Sequence, residues 1–96
     1  MKSLIYRDEA VLDIGEAMRW YREQLPGLEE RFLEEILACE AVIIRHPRGA
    51  PLVYKHFRQL PLKGFPYVML YGIHKGNLYL YRVFPTRMDP AKKYKR

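Results

Sequence analysis

The side chains in this sequence that could do chemistry are mainly arginine, lysine, histidine and tyrosine, and together they suit a phosphate or an acidic protein. Arg58 and Arg82 fall in two separate β-favouring stretches. A guanidinium offers paired donors that match a phosphate or a carboxylate. Either these two arginines anchor such a partner, or they form sheet-surface ion pairs with their stems laid on apolar neighbours. His56 follows Lys55 and stands two residues before Arg58. That setting suits action at a phosphate, with a structural histidine as the alternative. Arg87, Lys92 and Lys93 continue the basic series, and Tyr94 sits within Lys92-Lys93-Tyr94-Lys95-Arg96, where cationic neighbours favour the phenolate, a candidate base. The other reading of Tyr94 is a solvated tail residue. Tyr67, Tyr71, Tyr79 and Tyr81 are either stacking partners for nucleic-acid bases or ordinary strand formers. The spacing of His46, His56 and His74 matches no zinc motif. There is also no glycine-rich phosphate loop, no Ser/His/Asp arrangement and no CxxC, so neither a metal nor a cofactor is expected.

The distribution of charge sharpens the partner class. The chain of 96 residues carries a net charge of +6. Residues 1–44 hold 5 basic and 10 acidic side chains, whereas residues 45–96 hold 12 basic and 1 acidic. Such a split predicts a cationic face that attracts phosphate or an acidic protein; the plainer alternative is solubility charge on an exposed sheet. If Arg58 and Arg82 belong to that face, reversing both charges should weaken binding and leave the fold intact, as surface substitutions usually do.

The elements that must position these residues follow from periodicity. Residues 2–7 read as a short strand. Ala10, Val11, Ile14, Ala17, Met18, Tyr21 and Leu25 then recur at helical spacing, with Asp8 the expected N-cap and Pro26-Gly27 the stop. A second helix from Leu28 carries Phe32, Leu33, Ile36, Cys39, Val42 and Ile43 on its apolar face and runs to Pro47. Two helices so closely joined must fold back on each other. Residues 47–51 read as a loop, 52–60 as a strand, 67–74 as the strongest strand, Lys75-Gly76-Asn77 as a turn, and 78–84 as the last strand before Pro85. The order β-α-α-β-β-β predicts an α+β fold, a helical hairpin packed on one face of a mainly antiparallel sheet. The other face is left for solvent or a partner. Length allows one domain, 1–96 with a basic tail at 91–96. At 49% apolar the composition is globular. A single cysteine, no apolar run of membrane-spanning length and no apolar leader segment make a cytoplasmic protein without internal disulfides the expectation.

Several short motifs, in order, resemble the RelE/ParE family of toxins. They are Trp20-Tyr21, Pro26-Gly27-Leu28, Arg31-Phe32, Arg58 with Leu60, Phe65-Pro66-Tyr67, Tyr71, Arg82-Val83-Phe84, Arg87 and Asp89-Pro90. The resemblance covers about residues 4 to 90, and it is the order and spacing, more than any one motif, that carry it. It implies the toxin of a type II toxin–antitoxin pair, partnered by an antitoxin whose C-terminal segment masks the target-facing surface, as a homodimer or a heterotetramer with that antitoxin and without a membrane. It also implies one of two activities. ParE-like members inhibit DNA gyrase without cutting nucleic acid; RelE-like members enter the ribosome and cleave mRNA. RelE-like nucleases place an arginine after the aromatic that opens the central strand, where this chain has Val68, and others place a histidine after the last strand, where this chain has Pro85. Both departures favour the gyrase-directed reading. On the nuclease reading the catalytic set is Arg58, Arg82, Arg87 and Tyr94. On either reading the target- or antitoxin-binding set is Lys55, His56, Arg58, Arg82, Arg87, Lys92 and Lys93. A third reading is a basic binding module that keeps the fold without toxicity.

Overall fold

The computed structural model describes residues 3–87. Strand β1, Ile5–Tyr6, is only two residues long, because the chain turns into a helix from Asp8. The Arg7 N–H still bonds to the Leu80 carbonyl at 2.9 Å, and Arg7 itself takes the extended cap position ahead of helix α1, Asp8–Gln24. The expected N-cap is therefore displaced by one residue. Asp8 is the first helical residue and supports the helix through the charge of its first turn alongside Glu9.

Helix α1 buries Ala10, Ile14, Ala17 and Tyr21, the narrow part of the predicted stripe; Val11 and Leu25 face outward. The reversal into α2, Leu28–Arg45, turns on Gly27, whose φ of 99° places it in the left-handed region that a side chain would strain. The Gly27 N–H donates to the Glu29 carboxylate at 2.8 Å. Helix α2 buries Phe32, Ile36, Cys39 and Ile43.

The sequence-predicted strand 52–60 is two strands, β2 at Leu52–Tyr54 and β3 at Phe57–Pro61. They are joined by a tight turn at Lys55, which takes a positive φ of 50° without any glycine to signal it. Strands β4, Tyr67–His74, and β5, Asn77–Pro85, form the central hairpin. Lys75 and Gly76 at its tip both have positive φ, the requirement of a two-residue turn that follows strand twist. The sheet order is β1-β5-β4-β3-β2, with β1 parallel to β5 and every other pair antiparallel. The register shifts between Leu70 and Tyr71, so that Leu70 opposes Arg82 while Tyr71 opposes Leu80. Tyr81 is the extra residue of this bulge.

Alternation along the strands separates two apolar clusters. On the helix side Met69, Tyr71, Leu78, Leu80 and Val83 join Phe32, Ile36 and Ile43. An aromatic knot closes one end of this layer, with the Tyr21 and Phe65 rings 5.0 Å apart and the Phe32 and Tyr67 rings 5.2 Å apart. Much of the motif resemblance is thus carried by core residues. The opposite face holds a second buried cluster, Phe57, Val68, Leu70, Tyr81 and Phe84. Both described helices lie on one face, and the middle of the opposite face is apolar. Among the described residues, no helix is long and apolar enough to cross a membrane.

Candidate functional site

The start of β3 lies beside the end of β4, with Phe57 opposite Gly72. This register delivers His56, from the β2–β3 turn, onto the sheet face away from the helices. His56 Nε2 and the Tyr81 hydroxyl share a hydrogen bond of 3.1 Å. The imidazole lies 4.5 Å from the Phe57 ring and 5.4 Å from the His74 ring, centroid to centroid. Gly72 is what lets it sit there: a β-carbon at this position would come within 2.9 Å of both the His56 ring and the His56 carbonyl. Tyr54 stacks on Phe57 at 6.2 Å, Lys55 holds its ammonium 5.2 Å from the Tyr54 ring, and Tyr79 flanks Tyr81 at 5.9 Å. The result is a patch of rings edged by Lys55 and, in the neighbouring turn, Lys75. Residues 46–87 contain no carboxylate side chain.

Arg58 and Arg82 are placed differently. Arg58 opposes Tyr71 in the ladder and shares its helix-side orientation. Its Nη1 donates to the carbonyls of Ala50 at 2.6 Å and Arg48 at 3.2 Å, while the Tyr71 hydroxyl donates to the Pro47 carbonyl at 3.0 Å. The cross-strand pair therefore fastens the loop after α2, whose carbonyls lack other secondary structure to satisfy them. Burial pushes the Tyr71 phenol up, partly offset by its contact with the loop backbone and by the Arg58 charge.

Arg82 reaches α1. Its Nε and Nη2 donate to the two carboxylate oxygens of Asp13 at 2.7 and 3.1 Å, and the Val83 N–H donates to the same carboxylate at 2.9 Å. The cause is the shortness of β1: it pairs with β5 only at Tyr79 and Leu80, so farther along β5 Asp13 takes the place of a strand partner. The Asp13 hydrogen bond raises the Arg82 pKa further. Each arginine thus ties a loop or a helix to the sheet, and Arg82 forms the ion pair that the sequence left open as one of two readings.

The remaining predicted residues divide. Lys55 and His56 meet at the patch just described, and Arg87 is exposed beyond the end of β5. Lys92, Lys93 and Tyr94 lie outside the described residues. Among the tyrosines considered for stacking, Tyr71 is 1% exposed and Tyr67 packs against Tyr21 and Phe32, so both serve the core. Tyr79 and Tyr81 face the other way. Sequence reasoning missed Asp13, Gly72 and the pairing of His56 with Tyr81. The bulge and the β3–β4 register create those contacts, and neither leaves a local signal. Among the described residues no group of three or more His, Cys, Asp or Glu could hold a metal. The patch offers a hydrogen-bonded imidazole and phenol, flat rings and positive charge. That combination fits planar or anionic groups better than it fits a metal.

No family model and no curated protein sequence matches this chain. Its fold is nevertheless shared with a solved structure described as the chromosomal ParDE TA system from P. aeruginosa. The two superpose with a TM-score of 0.77 at 18% sequence identity, over 88% of this chain and 96% of that one. At such identity the likeness is one of fold.

Proposed function

We propose that this chain is the toxin of a type II toxin–antitoxin pair, acting in the manner of ParE on DNA gyrase and neutralised by a cognate antitoxin. The fold shared with the ParDE structure across nearly the whole chain carries this reading. The gyrase branch rests on Val68. At the position where the nuclease members of the resembling family place an arginine, this chain has a valine that is 5% exposed and packed with Phe57, Leu70, Tyr81 and Phe84. Cleavage through a ribose hydroxyl needs positive charge on the phosphate and groups to move protons. Arg58 and Arg82, two of the cations considered for that task, are bonded to the chain's own carbonyls and to Asp13. Of the target- or antitoxin-binding set, Lys55, His56 and Arg87 are exposed or half-exposed among the described residues and are proposed to make the contact. Arg58 and Arg82 shape the surface around them, and Lys92 and Lys93 are retained from the sequence reading.

The test is induced expression in a bacterial host with two readouts. Gyrase–DNA cleavage complexes and induction of the DNA-damage response, without cuts in ribosome-bound mRNA, are the expected result. mRNA cuts without DNA damage would replace the gyrase target with the ribosome. Normal growth with neither signal would favour the non-toxic binding module. Co-expression with a short acidic protein encoded beside this gene should restore growth and yield a co-purifying complex.

A further inference from the structure

We infer that the turn end of the sheet, on the face away from the helices, binds single-stranded nucleic acid through Tyr54, Lys55, His56, His74, Lys75 and Tyr79. Three independent features converge there. First, register brings the β2–β3 turn and the β4–β5 turn to the same end, with Phe57 opposite Gly72 and His74 opposite Asn77. Second, the rings form a graded platform: Tyr54 and His74 are exposed and His56 and Tyr79 half-buried. Tyr54, His56 and Tyr79 rest on the buried pair Phe57 and Tyr81, 5.0 Å apart edge to face, and His74 lies against His56. Third, the charges are of one sign. Lys55 and Lys75 are exposed in tight turns, while among the described residues every carboxylate side chain lies on the two helices.

Flat rings with lysines at their margin and no carboxylate on the described strands and turns match the alternation of base and phosphate in an unpaired strand. Stacking uses the face every base has, and lysine neutralises the backbone without reading sequence. A duplex hides its base faces and fits such a platform poorly. An acidic peptide would use the lysines but leave the rings without a purpose. This site is also separate from Val68 and Pro85, the two positions where the chain departs from the nuclease pattern. Val68 and Pro85 are at the other end of the hairpin, where Tyr67 opposes Pro85, about 23 Å from His74 at the usual rise per residue. The inference concerns binding alone and does not depend on whether the target is gyrase or the ribosome.

The experiment is fluorescence anisotropy with labelled oligo-dT and oligo-U of about 12 nucleotides, a length within the range such platforms occupy, using the full chain. The wild type should bind both, and a duplex of equal length at least tenfold more weakly. Lys55→Glu with Lys75→Glu should cut affinity more than tenfold and lower the salt slope by about 1.4, the share of two phosphate contacts on a single strand. Tyr54→Leu with His74→Ala should cost about fivefold or more at unchanged salt slope. Arg31→Glu with Lys63→Glu makes the same charge change at remote exposed positions and should cost less than threefold. Thermal melting within a few degrees of wild type is required of each variant. Tyr54→Leu alone stands in for any pair that melts early. Equal losses from the local and remote charge reversals would overturn the site, as would stronger binding to duplex. So would the absence of oligonucleotide binding, whether or not an acidic peptide such as polyglutamate binds.

Discussion

Replacing Asp13 with alanine removes one carboxylate that accepts from three donors, Arg82 Nε, Arg82 Nη2 and the Val83 N–H. The side chains of Arg82 and Asp13 are 18% and 13% exposed, closer to a buried pair than to a surface one. Breaking a fully buried pair costs about 3–5 kcal/mol, because a desolvated charge is left behind; an exposed pair contributes about 0–1 kcal/mol. The intermediate exposure, with a backbone donor also losing its charged acceptor, places Asp13→Ala at about 2–3 kcal/mol. For a domain of this size that is a fall in Tm of roughly 10–20 °C. Asp13→Asn keeps an acceptor for Val83 and should lose about half as much. Circular-dichroism melts of the single variants and of Asp13→Ala with Arg82→Ala supply a double-mutant cycle, in which a coupling of about 1–2 kcal/mol is expected for groups in direct contact. A loss under about 0.5 kcal/mol for Asp13→Ala, the range of ordinary surface changes, would refute the claim that this carboxylate completes the edge of β5.

Other outcomes test other parts of the structure. Arg58→Ala should lower stability by about 1–2 kcal/mol, since the Ala50 and Arg48 carbonyls lose their donor, and proteolysis should then cut first in the 46–51 loop; an unchanged melt would return Arg58 to the surface. Gly72→Ala should cost about 1–3 kcal/mol through overpacking against His56, and the added His56→Ala should recover only part, because the clash also involves the His56 backbone. Burial of Tyr6, and its hydroxyl's bond to Glu40, push the Tyr6 phenol up; burial pushes Tyr21, Tyr67 and Tyr71 the same way. A raised phenol stabilises the fold below the unfolded tyrosine value of about 10 and loses that contribution as pH climbs beyond it. Denaturant titrations should therefore show stability falling above about pH 10, less steeply in Tyr6→Phe, which removes one of the four groups; an identical slope would exclude Tyr6 as a contributor. Burial, with Glu35 adding to it against Lys63, also raises the Cys39 thiol; a disulfide reagent at mildly alkaline pH should label the native protein at least about tenfold more slowly than the unfolded chain.

The helices and the central hairpin were legible because each obeys a local rule. Ala10, Ile14, Ala17 and Tyr21 recur at the helical period, Pro26-Gly27 marks the reversal, and Lys75-Gly76 marks the hairpin tip. The β2–β3 turn was not legible, since Lys55 enters positive φ with no glycine or asparagine to announce it. The candidate site was legible only as a set of residue types. Lys55 and His56 stood out by charge and chemistry, whereas Gly72 and Tyr81 gained meaning only when β4 was laid beside β3 and β5.

The amino-acid sequence alone determined the kinds and order of elements and the concentration of positive charge after residue 44, since period and composition are properties of neighbours along the chain. Tertiary structure decided what the cations do. Arg58 and Arg82 look alike in the sequence, yet Arg58 donates to carbonyls of the loop beside β3 and Arg82 to the Asp13 carboxylate of α1, 69 residues away, acceptors that come within reach only once the sheet has formed. The same pairing placed His56 against Tyr81 and His74, so the surface left for a partner was fixed by strand register and a single bulge.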